Sequence, residues 1–369
     1  MKEIPKISVV TVTYNAEKFI EESIKSLLAQ TYKNIEYIIV DGESSDDTLK
    51  IIDKYRDKID ILISEKDTGI YDAMNKGINL SSGDWLFFLN SGDVFYSADT
   101  VSKLVQALDS TIDILYGDII TVDEKMENQD YLVANGIENI EILPPFWHQG
   151  MLIKTSLHKK RLYDLKYKSC SDYDFMMYCV TNNFNCKYIN LPFTYYLRGG
   201  ESTTNIYMNR LEGVAISSKY LDINLLDKNF FFRDLIDNHI KETEPLSKLL
   251  LELDTSFRSL EIFLTTIKER YKKIALYGGG TIANLIAPFI GNNLKIIADK
   301  NHTQIDSIYP TCLPEDLKLY QFDCILITPI RNSTEIKDYL TNTLKIDLDK
   351  VITFDNIVLG LRSNNKTNL

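Results

Sequence analysis

The sequence predicts an α/β protein with a mostly parallel sheet flanked by helices, then a helical linker, then a second and smaller α/β unit. Three observations carry this prediction. From residue 7 to about 122, short β-branched runs alternate with apolar residues at helical spacing, the order that lays helices over parallel strands. Residues 206–271 hold few strand signals and one long helical pattern. From Lys272 the strand–helix alternation resumes. The expected division is 1–205, 206–271 and 272–369, in a chain of 369 residues that exceeds a single domain of roughly 100–200.

Taken in order, Ile7–Thr13 is apolar and β-branched, as a strand buried on both faces should be. Phe19, Ile20, Ile24, Leu27 and Leu28 then recur at helical spacing. Ile35–Val40 is a second strand ending at Asp41-Gly42, after which Asp46 or Asp47 caps a helix through Ile51 and Ile52. Ile59–Ile63 and Trp85–Leu89 read as further strands, with a helix over Tyr71–Ile78 between them. Polar residues follow each strand: Tyr14-Asn15, Asp41, Asp67 and Asn90 to Asp93. Ligands of open α/β sheets bind beyond the carboxyl ends of the strands, so one site can gather all four.

In the linker, Thr243 with Pro245 starts a helix whose Leu246, Leu250, Leu253, Phe257, Leu260, Leu264 and Ile267 step by four and three. Two readings of this stripe stand side by side: a homodimer seam, or a helix lying across its own domain. In the last unit, strands are expected at Ile274–Tyr277, Leu294–Ala298, Cys324–Thr328 and Val351–Phe354. Gly278-x-Gly280-x-x-Ala283 turns from the first of them into a helix, with Asp299 about twenty residues on. The unit is Rossmann-like, and the better reading of its turn is a structural or docking module without a nucleotide.

Composition narrows the classes. With 44% hydrophobic and 25% charged residues the chain buries a core rather than remaining disordered. Lys+Arg 41 against Asp+Glu 52 gives 41 − 52 = −11, which lacks the basic footprint of a nucleic-acid binder. Five cysteines without a C-x-x-C pair and four dispersed histidines argue against zinc and for free thiols in a reducing compartment. No secretory leader is read at Lys2, Glu3 and Lys6. The longest uncharged run, Ile274 to Leu294, is broken by glycines, asparagines and Pro288.

Val10-Thr-Val-Thr-Tyr-Asn15, Val40-Asp-Gly-Glu-Ser-Ser-Asp-Asp-Thr48, Gly69-Ile-Tyr-Asp-Ala-Met-Asn-Lys-Gly77, Gly83-Asp-Trp-Leu-Phe-Phe-Leu-Asn-Ser-Gly-Asp93 and Ser171-Asp-Tyr-Asp174 occur in this order. Together, over residues 5–200, they resemble family-2 glycosyltransferases of the GT-A fold, of the kind that builds bacterial surface polysaccharides. The resemblance implies Thr13, Tyr14 and Asn15 at the nucleoside, Asp41 at the base or ribose, and Asp67 near the base where the family has Asn. Asn75 and Lys76 fall in a donor-binding segment whose usual Arg is Met74, with Lys76 as the replacement cation. Arg198 opens a loop implied to close over the diphosphate. The family's Asp-x-Asp run is here Asn90-Ser91-Gly92-Asp93, leaving Asp93 as the ligand of a divalent cation, manganese or magnesium. Hard cations take oxygen ligands, and such a cation withdraws charge from a departing diphosphate.

Asp172 matches the family's general base, with Ser171 in place of the usual Glu. Asp174 is the neighbouring candidate, and residues two apart on a helix face different ways. Trp147-His148-Gln149 resembles the segment lining the acceptor side. The expected activity is inverting transfer from a nucleotide-sugar donor, UDP-linked by preference, to a glycan or lipid-linked acceptor. The expected setting is the cytoplasm, with peripheral association at the inner membrane face. Two rivals remain: a non-catalytic nucleotide-sugar-binding scaffold, and a nucleotidyltransferase, whose Gly-rich basic loop is absent at Tyr14–Glu17.

Overall fold

A computed structural model of the chain describes residues 4–199, 206–221, 228–234, 267–279, 281–305, 307–328 and 333–353. It contains two compact units, Met1–Ile206 and Tyr207–Leu369. The linker stripe from Leu246 to Leu264 lies outside the described residues. No described helix is long and apolar enough to cross a membrane.

The first unit opens with β1 (Ile7–Thr13), α1 (Ile20–Leu28), β2 (Ile35–Asp41), α2 (Thr48–Asp53), β3 (Ile61–Ser64), α3 (Ile70–Leu80) and β4 (Trp85–Phe88). All seven residues of β1 are buried. Their period of two divides them between two cores. Val9 packs with Ile20, Ile24 and Ile52 on one face of the sheet, and Val10 packs with Ala73, Met74 and Ile78 on the other. Strands β3, β2, β1 and β4 are parallel neighbours in that order. Thr13, Asp41 and Ser64 therefore stand side by side in register at one sheet edge.

Beyond β4 the chain adds β5 (Val94–Phe95), α4 (Thr100–Ala107), β6 (Ile114–Val122), β7 (Gln129–Leu132), β8 (Met151–Lys154), α5 (Thr155–Lys160), α6 (Ser171–Thr181) and β9 (Cys186–Leu197). The sheet continues β4-β8-β6-β9-β5, with β7 on the side of β6. β8 runs antiparallel to both β4 and β6, and β5 antiparallel to β9. Across both units, eight of the twelve described strand pairings are parallel.

The second unit holds α7 (Ile206–Tyr220), α8 (Phe230–Asp234), β10 (Ile274–Tyr277), α9 (Thr281–Ile290), β11 (Leu294–Ala298), β12 (Thr311–Cys312), β13 (Cys324–Ile327), α10 (Ser333–Asp338) and β14 (Val351–Thr353). Its five strands are parallel in the order β12-β11-β10-β13-β14. Asp299 Oδ2 accepts the Gly279 N–H at 2.8 Å, and a Cβ on Gly279 would fall 2.1 Å from Ile305 Cδ1.

Candidate active site

At the parallel sheet edge, the ends of β1, β2 and β3 converge. Thr13 is buried and its Oγ1 has no hydrogen-bond partner, so one polar atom awaits an acceptor or donor. Tyr14, the next residue, is 64% exposed, an aromatic face suited to stacking a base. Asn15 sits in the left-handed region at φ 47° and its Oδ1 accepts the Ser45 N–H at 2.9 Å. Asp41 is fully buried, with Oδ1 bonded to Ser44 Oγ and Oδ2 to Ser44 N–H and Ser64 Oγ. Its carboxylate thereby shapes the loop that carries Gly42. A Cβ on Gly42 would lie 2.5 Å from Asp67 Oδ2 and 3.3 Å from the Tyr14 ring, so a larger residue there would displace the Asp67 carboxylate. Asp67 Oδ1 caps the turn into α3 through Gly69 N–H.

Four expected site residues bond within the chain. Asn75 is buried, and both ends of its amide clamp the Tyr163 backbone at 2.9 Å. Lys76 Nζ binds Glu65 Oε1 and the Lys66 carbonyl, both at 2.9 Å. It thus steadies the loop before Asp67, while Met74 lies in the core. Arg198 pairs with Asp130 and the Asn128 carbonyl on the β7 hairpin. Asp174, 1% exposed, pairs with Arg161.

Asp172 occupies the first turn of α6, where the helix N-terminus favours a carboxylate. Its Oδ1 accepts the Tyr71 hydroxyl at 2.7 Å, and its Oδ2 lies 2.9 Å from His148 Nδ1. Burial pushes this carboxyl up, but His148, Tyr71 and the Tyr173 N–H outweigh it and hold Asp172 below the usual carboxylate range. Burial and the facing Asp172 charge push the Tyr71 hydroxyl well up, so it remains a donor. His148, in the short turn before β8, places Nε2 3.1 Å from Asn90 Nδ2. The ring thus bridges Asp172 through Nδ1 and Asn90 through Nε2. Gln149 is buried beside it, its carbonyl bonded to Thr194 Oγ1.

Asp93 closes the group. It is 3% exposed, accepts the Leu197 N–H at 3.1 Å, and is raised to about 7, burial outweighing the help of His148 and Leu197. Asn90 Oδ1 is buried and unpartnered. Among the described residues no three His, Cys, Asp or Glu side chains form a metal centre. Asp93 and Asn90 instead fit a hard cation that draws its remaining oxygens from a diphosphate and water. Tyr71 was missed as an Asp172 partner; its place in Gly69-Ile-Tyr-Asp-Ala73 was the available signal.

The Glycosyl transferase family 2 model matches residues 8–171. An uncharacterised glycosyltransferase of Mycobacterium tuberculosis is 31% identical over 185 residues, 48% of this chain and 70% of that protein. A PGL/p-HBAD biosynthesis glycosyltransferase of Mycobacterium bovis is 29% identical over 223 residues, covering 58% and 86%. The crystal structure of Staphylococcus aureus TarS 1–349 in complex with UDP-GlcNAc aligns at TM-score 0.49 and 20% identity, over 72% of this chain and 80% of that one.

Proposed function

The chain belongs to glycosyl transferase family 2, and from that premise we propose an inverting transferase that moves a sugar from a nucleoside-diphosphate donor to a glycan or lipid-linked hydroxyl during surface-polysaccharide synthesis. The observation that carries the reading is Asp172, gripped at both oxygens by Tyr71 and His148 beside Asp93. Thr13, Tyr14 and the Gly42–Asp67 wall receive the nucleoside. Asp172 takes the acceptor hydroxyl's proton as that hydroxyl's oxygen bonds to the anomeric carbon. The bond to the diphosphate breaks from the opposite face, and its electron pair stays on the leaving oxygen, which inverts the carbon. Because Asp172 is held low it is always in its basic form at neutral pH, and His148 keeps it oriented. A divalent cation held through Asp93 and Asn90 supplies a Lewis acid to the leaving diphosphate when bound.

The test is Asp172→Asn in the full chain, assayed for sugar transfer and for donor affinity. Transfer should fall by about 10²–10⁴ with donor affinity nearly unchanged, since a general base acts on the acceptor. Full activity in Asp172→Asn overturns the assignment. A wild-type chain that binds UDP-sugars and turns none over is the scaffold instead.

A further inference from the structure

Four tyrosines, three of them exposed and Tyr195 half-buried, form a patch that the transfer chemistry above does not use. Tyr131 on β7 pairs with Ile120 on β6, Ile120 with Tyr195 on β9, and Tyr195 with Val94 on β5. Residues directly opposed across strands share a face, so these side chains form one row about 14 Å long at roughly 4.8 Å per strand. Tyr96 lies against it, its ring centroid 5.6 Å from that of Tyr195. Tyr188 stands beside the row, 5.6 Å from the Tyr116 ring. Tyr131, Tyr188 and Tyr96 are 50%, 40% and 37% exposed.

The rings are fixed from below. Asp118, fully buried on β6, accepts the Tyr131 hydroxyl at 2.8 Å, the Tyr188 hydroxyl at 3.1 Å and the Ala134 N–H at 2.9 Å. Two exposed aromatic faces are therefore held in place before any ligand arrives, which lowers the ordering cost of binding. The row is continuous with the candidate site. Val94 follows Asp93, and Tyr195 stands two residues before Leu197, whose N–H holds Asp93. Tyr116, two positions before Asp118 on the same face of β6, belongs to the core cluster that contains Tyr71, so the row shares its sheet face with the partner of Asp172. The nucleoside end, by contrast, lies at β1, β2 and β3, across β4 and β8.

We infer that Tyr96, Tyr131, Tyr188 and Tyr195 are a platform for the carbohydrate chain of the acceptor, which deepens and rests on the transferase reading above. Pyranose rings offer a C–H face to an aromatic ring and a hydroxyl rim to water and polar groups. Tethered phenols match that chemistry, and a row crossing four strands accommodates more than one ring.

The experiment titrates gluco-, galacto- and N-acetylglucosamine oligosaccharides of one to four rings into the full chain by ligand-observed NMR, with no donor present. In at least one series affinity rises with ring number. Tyr131→Ala and Tyr195→Ala each weaken the four-ring probe about tenfold. Tyr195→Phe, which keeps the ring, binds as wild type, and UDP affinity is unchanged throughout. Affinity independent of length in all three series overturns the platform, as do alanine variants that bind like wild type. Alanine variants that instead turn a dimer into a monomer in light scattering assign the patch to a second copy and also overturn it. Because no donor is present, a chain that turns over no nucleotide sugar fails the transferase reading separately.

Discussion

Asp172 meets partners that are 101 and 24 positions away in sequence, Tyr71 and His148, and they separate its surroundings from those of Asp174. Ser171-Asp-Tyr-Asp174 says only that Asp172 and Asp174 point different ways; the fold turns Asp174 to Arg161 and Asp172 to His148. His148→Ala removes a bond to a charged group worth about 1.5–3 kcal/mol. The transfer rate should fall roughly 10–100-fold with donor affinity kept. Asp172, losing the group that holds it down against burial, should rise. The acid limb of the rate profile then moves to higher pH, which rate measurements across pH will show. A loss of donor affinity with an unmoved limb would place His148 at the donor. Asp174→Asn breaks a buried pair, costing about 3 kcal/mol in thermal or urea unfolding, while the remaining folded enzyme transfers normally.

Elements differ in how much of them the sequence exposes. β1, β2 and β4 are short runs rich in β-branched and aromatic residues and were legible, as was the gathering of polar residues beyond their ends at one edge. β6 was not, because Gly117-Asp118 breaks its pattern. Pro192 likewise obscures β9, where the register shifts against Asp118. Asn75 and Lys76 sit in a recognisable motif, yet the motif does not reveal their tertiary partners, Tyr163 and Glu65. The glycine turn of the second unit makes the same point. Its spacing fits a dinucleotide fingerprint, with Asp299 where a ribose-binding acid is expected. In the structure Asp299 takes the Gly279 N–H itself, and Ile305 packs against Gly279 where a Cβ would stand. Millimolar NAD or NADP should therefore leave the thermal midpoint of the chain unmoved. A ligand at about 100 times its dissociation constant would add about 2.7 kcal/mol, so a clear upward shift means that the turn opens to admit it.

At the scale of the molecule, two buried groups of the first unit give its stability opposite dependences on pH. Asp93 is raised to about 7 by burial, despite His148 and the Leu197 N–H. The folded chain keeps a proton that the unfolded chain releases, so its contribution is lost as pH rises from 3.8 toward 7. His158, fully buried against Phe175 and Tyr163, is lowered to about 4 by burial. Here the unfolded chain takes the proton, so stability is lost as pH falls from 6.5 toward 4. Glu36, lowered to about 2 because bonds to Lys6, Ser8 and Ser82 overcome its burial, acts only below 4.5. Between pH 4.5 and 6.5 the slopes of Asp93 and His158 are one proton each and opposed, so the wild-type thermal midpoint should be nearly flat. Asp93→Asn unmasks His158. Its midpoint should fall on acidification across those two pH units, by about 3 kcal/mol or on the order of 5–10 °C. His158→Phe should tilt the other way and lose stability as pH rises. A cation held through Asp93 fixes that carboxylate in its ionised form and competes with protons, so saturating manganese and UDP should tilt the wild type as steeply as Asp93→Asn does. A profile that stays flat with both bound would detach Asp93 from the cation, and parallel profiles for the two variants would refute the opposition itself.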